Sequence, residues 1–314
     1  MKTSTSKRLR WNVAIWLAAG LFMTGASGMA SGPIMPDPKA EARHQPQVEE
    51  TANGIPLVNI TAPSSGGVSR NEYETFNVPD KGAILNNSYT LSKTELAGYV
   101  QGNNNMAERP AKIIVNEVTG AGSTSMDGFL EVAGNRADVV IANPNGITVN
   151  GGGFINTGKA FLTTGKPVYD GEDHLQRFDI TGGDILIEGK GLGGKETGSL
   201  AILSRAVRIN AGIWAKDLHI TTGANSIDAK TLEASAIEGK GGRPAFALDT
   251  AAIGGMYAGR ITLVGTEKGL GVNNSGTWSA EDNLILDWNG EPEKQRYHLQ
   301  QRKYRPPRKP PGKR

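Results

Sequence analysis

The feature that most constrains the fold is a recurring pattern of short aliphatic runs separated by turns rich in glycine and asparagine. From about residue 53 onward, most runs contain three to six residues and are rich in Ile, Val and Leu. Glycine accounts for 42 of the 314 residues, roughly twice its ordinary share of about 7%. Such runs predict β-strands, and only 90–99 suggests a brief helical turn. Representative runs lie at 55–60, 137–142, 147–149, 185–187, 207–209, 261–264 and 284–286.

Two all-β architectures fit this pattern. A sandwich needs hairpins and longer alternating strands, whereas turns here often follow after three or four residues. The runs that start at Ile261 and Leu284 are 23 residues apart, which is about the length of one solenoid coil. The pattern therefore favours a β-solenoid, whose coils bury their faces against neighbouring coils and whose ends need caps. We expect residues 53–80 to form the N-terminal cap.

The first 30 residues have the three parts of a secretory signal peptide. A basic start is followed by an apolar segment at 13–23 and by small residues that end at Ala30. The apolar segment is shorter than the roughly 20 residues of a transmembrane helix, so a cleaved signal is favoured over an uncleaved anchor. Residues 31–52 are rich in Pro, Glu and Gln, and we expect them to form an extended leader.

Charge and composition argue against several classes of function. The net charge of +3 arises at the ends, where residues 1–30 carry four basic side chains and 291–314 carry nine basic and two acidic ones. The remaining 260 residues hold 21 basic and 29 acidic side chains, a net charge of −8, so nucleic acid is not an expected partner. Cysteine is absent and the four histidines form no close pair. Neither a disulfide framework, nor a metal site, nor a cofactor is predicted.

Two weak motifs suggest an enzyme. Segment 189–196 resembles a phosphate-binding loop, but Glu196 stands where Ser or Thr should hold magnesium. Asp179, Asp184 and Glu188 lie close in sequence, and a carbohydrate-cleaving β-helix enzyme would need such carboxylates on one face. Solvated loops explain both patterns more simply, so the chain is predicted to be non-enzymatic.

The most informative run contains Asn143-Pro144-Asn145-Gly146-Ile147 between two apolar segments. Proline fixes the first central φ of a turn, asparagine side chains bond to nearby backbone, and glycine accepts a positive φ. These residues therefore predict a tight turn that joins two strands, as the corner of a solenoid would.

The run around this turn, residues 142–160, closely resembles the N-terminal secretion domain of two-partner secretion exoproteins. That family includes filamentous haemagglutinin-type adhesins, contact-dependent inhibition toxins and secreted haemolysins. Further blocks follow in the family's order and extend the resemblance over about residues 53–290. They lie at 76–79, 82–88, 96–103, 114–118, 205–215, 222–225, 248–250, 254–259 and 269–273.

The resemblance implies an all-β chain folded as a right-handed parallel β-helix with an N-terminal cap. It also implies a role in recognition rather than catalysis. The domain would pass through the inner membrane to the periplasm, where the periplasmic domains of a dedicated outer-membrane transporter would recognise it and start export of an adhesin or toxin. The exoprotein would then be secreted or held at the cell surface.

Two asparagine motifs of this family are linked to secretion. The second is present without change at 143–147, whereas the first, usually Asn-Pro-Asn-Leu, reads Asn-Asn-Asn-Met at 103–106. The resemblance therefore nominates a set of recognition residues, which could instead serve only folding. They are Asn103, Asn105, Asn143, Pro144, Asn145, Gly146 and Ile147.

The predicted organisation is a signal peptide at 1–30, a leader at 31–52, a secretion domain at 53–290 and a basic, proline-rich tail at 291–314. The tail is expected to be extended and disordered, as a surface-binding segment or as the end of a truncated or frameshifted reading frame. The alternative functions are a haemagglutinin-like surface adhesin that acts directly and, less favoured, a polysaccharide-acting enzyme. A host-cell or neighbouring-cell surface would be a partner through downstream regions of the exoprotein.

Overall fold

A computed structural model of the chain describes residues 32–107 and 109–288. The predicted signal peptide and basic tail lie outside these residues. The described part consists of strands and two short 3-10 helices, Ala42–His44 and Asn104–Met106. None of its helices is long and apolar enough to cross a membrane.

The strands are, in chain order, β1 (Ile34–Pro36), β2 (Gln47–Glu50), β3 (Pro56–Asn59), β4 (Val68–Phe76), β5 (Ala83–Asn87), β6 (Ser92–Thr94), β7 (Gly98–Val100), β8 (Ile113–Val118), β9 (Thr124–Met126), β10 (Phe129–Gly134), β11 (Ala137–Ala142), β12 (Ile147–Val149), β13 (Gly152–Ile155), β14 (Thr157–Thr163), β15 (Lys166–Tyr169), β16 (Leu175–Ile180), β17 (Asp184–Ile187), β18 (Leu192–Gly194), β19 (Ser199–Ser204), β20 (Ala206–Ile209), β21 (Gly212–Thr222), β22 (Asn225–Asp228), β23 (Ala234–Ala236), β24 (Phe246–Thr250), β25 (Gly255–Gly265), β26 (Gly271–Asn274) and β27 (Thr277–Trp288).

Three parallel sheets wrap one core, and each coil visits them in the same order. The first sheet contains β4, β8, β11, β14, β19 and the second halves of β21, β25 and β27; the second contains β9, β12, β17, β20, β24 and β26. The third contains β5, β10, β13, β18 and the first halves of β21, β25 and β27. This is a parallel β-helix, so the predicted solenoid is confirmed.

The core is built from aliphatic side chains that stack from coil to coil. Val139 of β11 lies opposite Ile114 on one side and Ala160 on the other, and all three are buried. Alternate residues of a strand point to opposite faces, so every second residue of such a run enters the core. Burial of one Val, Leu or Ile side chain contributes roughly 1.5–3 kcal/mol, and this repeated contribution stabilises the short strands.

The N-terminal cap is antiparallel and begins earlier than the sequence suggests. Strand β1 pairs with β4, and β2 pairs with β3, which joins the third sheet beside β5. Ile34 and His44 are both buried. The expected extended leader at 31–52 is therefore wrong for 34–50, which is part of the domain. A reversal of direction here covers strand edges that the first coil would otherwise leave unpaired.

Excursions from the coils add structure outside the helix. Strands β6 and β7 form an antiparallel hairpin, so the helical turn suggested at 90–99 is wrong. Gly98 takes a φ of +71° at its turn, and Val100 packs with Ile84 of the third sheet. Strands β15, β16, β22 and β23 form a separate four-stranded antiparallel sheet, the outer sheet. Its Phe178 packs against Phe161 and so covers the outside of the first sheet.

Candidate functional site

The second asparagine motif forms the corner between the first and second sheets on the coil that contains β11 and β12. The backbone N–H of Asn143 donates to the carbonyl of Thr163 on the next coil at 2.9 Å, and the N–H of Gly146 closes the turn on the carbonyl of Asn143 at 3.1 Å. Gly146 takes a φ of +109°, which favours glycine over any residue with a side chain. Ile147, the last residue of the motif, points into the core.

The Asn143 side chain holds this corner to the preceding coil from within. It is fully buried, and its amide donates to the carbonyl of Gly122 at 2.9 Å and to the hydroxyl of Thr124 at 3.0 Å. Its Oδ1 accepts the backbone N–H of Asn145 at 2.9 Å. Both ends of the side-chain amide are therefore bonded, as a buried polar group requires.

Pro144 and Asn145 lie on the outside of the same corner, and both are exposed. The amide of Asn145 donates to the carbonyl of Gly120 at 2.8 Å, with longer contacts to the carbonyl of Gly122 at 3.4 Å and to Oδ1 of Asn143 at 3.2 Å. A partner of the folded domain could thus reach Pro144 and the outer edge of Asn145, but not Asn143.

The first motif repeats this arrangement elsewhere in the fold. Asn103 is buried and donates to the carbonyls of Ile60 at 2.8 Å and Asn86 at 2.9 Å, while its Oδ1 accepts the N–H of Asn105 at 3.0 Å. Asn105 donates to the same carbonyl of Ile60 at 3.1 Å. The N–H of Met106 closes the turn on Asn103 at 3.2 Å.

The two motifs therefore form the same kind of hydrogen-bonded turn at two separate places. In each, the first asparagine is buried, its oxygen accepts the N–H two residues later, and both asparagines donate to one shared carbonyl. That carbonyl belongs to Ile60 in the first motif and to Gly122 in the second. The turn of the first motif forms without the family's proline. Asn104 occupies that position, and its side chain is exposed.

The sequence did not indicate a partly buried ionic cluster beside the outer sheet. Arg70 of β4 lies at its centre, with Glu72 at 2.8 Å, Glu117 at 3.6 Å and Asp173 at 3.9 Å. The guanidinium group lies 4.4 Å from the ring centroid of Tyr169. Burial raises the pKa of Glu117 to about 7, although Arg70 opposes this shift.

This cluster connects the N-terminal cap to the outer sheet. Arg43 lies 2.8 Å from Asp173, and Nδ1 of His44 lies 3.2 Å from Glu72. A neighbouring cavity of about 430 Å³ is lined by these cap residues together with Asn105 of the first motif. Arg43 and Asp173 are 130 residues apart in the chain, so no local sequence signal could have joined them.

Asp179 and Asp184, two of the carboxylates that suggested an enzyme, are held in separate contacts. Asp179 bonds to Ser226 within the outer sheet at 2.8 Å, and Asp184 pairs with Arg208 on the second sheet. Segment 189–196 forms a turn followed by β18, without a helix. Within residues 32–107 and 109–288, no group of three or more His, Asp or Glu side chains is placed to hold a metal.

Comparison with known families identifies the domain. The sequence model of the TPS secretion domain, the domain of two-partner secretion exoproteins, matches residues 33–293. The chain belongs to this family. The match begins at the cap strands rather than at residue 53, in agreement with the structure.

Proteins named CdiA are among the relatives of this chain. The present chain is 47% identical over 259 residues to Toxin CdiA of Yersinia pestis. It is 45% identical over 267 residues to 16S rRNA endonuclease CdiA of Enterobacter cloacae subsp. cloacae. These alignments cover 82% and 84% of this chain but 8% of each relative. The crystal structure of the filamentous hemagglutinin secretion domain matches with a TM-score of 0.70 and 29% identity, over 82% of this chain and all of that one. The predicted family and its secretion-domain role are confirmed.

Proposed function

We propose that this TPS domain directs its exoprotein to a dedicated outer-membrane transporter, after export through the inner membrane to the periplasm. The periplasmic domains of the transporter recognise the domain, and the exoprotein then passes to the cell surface or the medium. The observation that carries this proposal is the family match over residues 33–293. The activity of the exoprotein itself depends on segments that this domain does not contain.

We further propose that the two asparagine motifs are recognised before the domain folds. In the folded domain Asn103 and Asn143 are buried, so a partner could reach only part of each motif. In an extended chain all motif residues are accessible, and the free backbone N–H and C=O groups can add as a strand to an exposed sheet edge of the transporter.

Folding outside the cell would then favour outward movement. Each coil buries its aliphatic residues only against its neighbours, so each coil that emerges can add to the core. The aliphatic burial described above supplies the free energy. This step requires no nucleotide, in keeping with a compartment outside the cytoplasm.

The experiment is a two-component secretion assay on the full chain. The chain is expressed with and without the cognate transporter, and the protein in the medium is quantified. Asn145→Ala changes an exposed motif residue, and Asn150→Ala is the matched control. Asn150 lies at the next corner of the same coil, where its Oδ1 accepts the N–H of Lys190 at 3.1 Å.

We expect transporter-dependent release of the parent chain, reduced by Asn145→Ala and retained by Asn150→Ala. Circular dichroism and thermal unfolding of each purified variant separate recognition from folding. Equal release of both variants would reduce the motif to a structural turn. Release that does not depend on the transporter would overturn the proposal as a whole.

A further inference from the structure

Three asparagines in the described part of the chain are followed directly by glycine, and one of them is in the second secretion motif. They are Asn53, Asn145 and Asn150. A glycine on the C-terminal side leaves the backbone nitrogen unhindered, because it carries no Cβ. Asparagine in such a pair is prone to spontaneous loss of its amide.

The geometry points to Asn145–Gly146 as a self-modifying site that folding protects, and we propose that it limits how long the unfolded chain stays competent. The deprotonated backbone nitrogen of Gly146 attacks Cγ of Asn145 and forms a five-membered succinimide. The side-chain nitrogen leaves as ammonia. Water then opens either carbonyl of the ring and yields aspartate or isoaspartate, with no change of oxidation state.

In the folded domain both reacting groups are held away from this path. The N–H of Gly146 is bonded to the carbonyl of Asn143. The amide nitrogen of Asn145 donates to the carbonyls of Gly120 and Gly122 and to Oδ1 of Asn143. Attack requires the side chain to leave these acceptors and rotate towards its own backbone. Because one net hydrogen bond corresponds to about a fivefold to tenfold change in population, we expect protection of about tenfold or more.

The other two Asn-Gly pairs are internal controls because their amide nitrogens are less restrained. The glycine N–H is bonded in these pairs too, that of Gly54 to the carbonyl of Thr51 and that of Gly151 to the carbonyl of Gly191, both at 2.9 Å, so the pairs differ in the side-chain amide. The amide nitrogen of Asn53 donates to one carbonyl, that of Leu96, at 2.9 Å, and its Oδ1 accepts the hydroxyl of Thr51 at 2.7 Å. At Asn150 it is Oδ1 that is bonded, by the N–H of Lys190. All three pairs are chemically alike in the unfolded chain, so the native fold alone should separate their rates.

The product rebuilds the corner less well. An aspartate at position 145 presents a carboxylate to the oxygens of Gly120, Gly122 and Asn143, all of which now accept from an amide. An isoaspartate adds a methylene group to the backbone of a turn that needs a φ of +109° at Gly146. A chain that waits unfolded would therefore acquire an irreversibly weakened corner. Its consequence for export rests on the proposed function, whereas the chemistry does not.

The test is peptide mapping by mass spectrometry on the purified full chain. One sample is kept native and another is kept in guanidinium chloride, in the same mildly alkaline buffer. We expect similar rates at the three asparagines in denaturant, and in the native chain a rate at Asn145 about tenfold below its denatured rate and below those at Asn53 and Asn150. Equal rates at Asn145 in the two samples, or a native rate at Asn145 matching that at Asn150, would overturn the proposal.

A second measurement tests the consequence. Asn145→Asp imitates one product and Asn53→Asp is its control. We expect a lower refolding yield from denaturant for Asn145→Asp only, and aged parent chain should show the same loss in proportion to the modified fraction. Normal refolding of Asn145→Asp and of the aged chain would refute the timing role. Failure of transporter-dependent release with the rate pattern intact would instead count against the proposed function alone.

Discussion

Replacement of Asn143 by alanine should destabilise the domain strongly, although the residue lies in a turn. The side chain is fully buried and makes three good hydrogen bonds, to Gly122, Thr124 and Asn145, at 2.9–3.0 Å. A net hydrogen bond contributes about 1 kcal/mol, and a buried group left unpaired costs about 1–3 kcal/mol. Asn145 is exposed and can bond to water instead, so we expect a loss of about 3 kcal/mol in the free energy of unfolding, within a range of roughly 2–4 kcal/mol.

The assay is urea unfolding followed by tryptophan fluorescence and circular dichroism. For a domain of this size such a loss lowers the Tm by roughly 5–10 °C. The control is Asn145→Ala, whose amide acceptors lie at the exposed side of the corner and can take water, so we expect about 1 kcal/mol. Asn103→Ala should match Asn143→Ala to within about 1 kcal/mol, because its buried side chain also donates twice, to the carbonyls of Ile60 and Asn86, and accepts the N–H of Asn105.

A loss below about 1 kcal/mol for Asn143→Ala would refute the reasoning, since the buried bonds would then contribute no more than exposed ones. A loss of the expected size at Asn143 but not at Asn103 would show that the two corners contribute differently to stability despite their common geometry.

Two further predictions concern buried charge. Because burial raises the folded-state pKa of Glu117 from 4.5 to about 7, the folded state keeps a proton that the unfolded state releases, so this residue lowers stability as pH rises through that interval. Glu117→Gln should therefore flatten the fall in Tm between roughly pH 5 and pH 8, and an unchanged pH profile would contradict this. Arg205 is buried and donates to Glu267 through two bonds, at 2.9 and 3.0 Å. It also donates to the carbonyl of Lys240 at 2.7 Å. Arg205→Lys should lose the two parallel bonds to Glu267 and speed hydrogen exchange at 224–245. Arg208→Lys changes an exposed ion pair and should leave that exchange unchanged. Equal exchange in both variants would contradict the idea that Arg205 holds this segment in place.

The sequence predicts those parts of the fold that depend on neighbouring residues. The runs at 137–142 and 147–149 became strands β11 and β12, because alternation and β-branched side chains act within a few residues. The corner at 143–146 is equally local, since proline, asparagine and glycine each restrict their own backbone. What the sequence missed there is the orientation of Asn143, whose acceptors belong to another coil.

The tertiary structure alone decided which segments cap the end of the β-helix and which cover its outer surface. Strand β2 carries Gln, Val and two Glu residues and has largely exposed side chains, so no local pattern distinguishes it from a solvated leader. Its place comes from the unpaired edge that β3 offers. The cluster around Arg70 likewise joins the cap to Asp173 across more than one hundred residues. Such contacts depend on the order in which the coils stack and on where the excursions return to the β-helix. Both are set by the whole fold rather than by any run of residues.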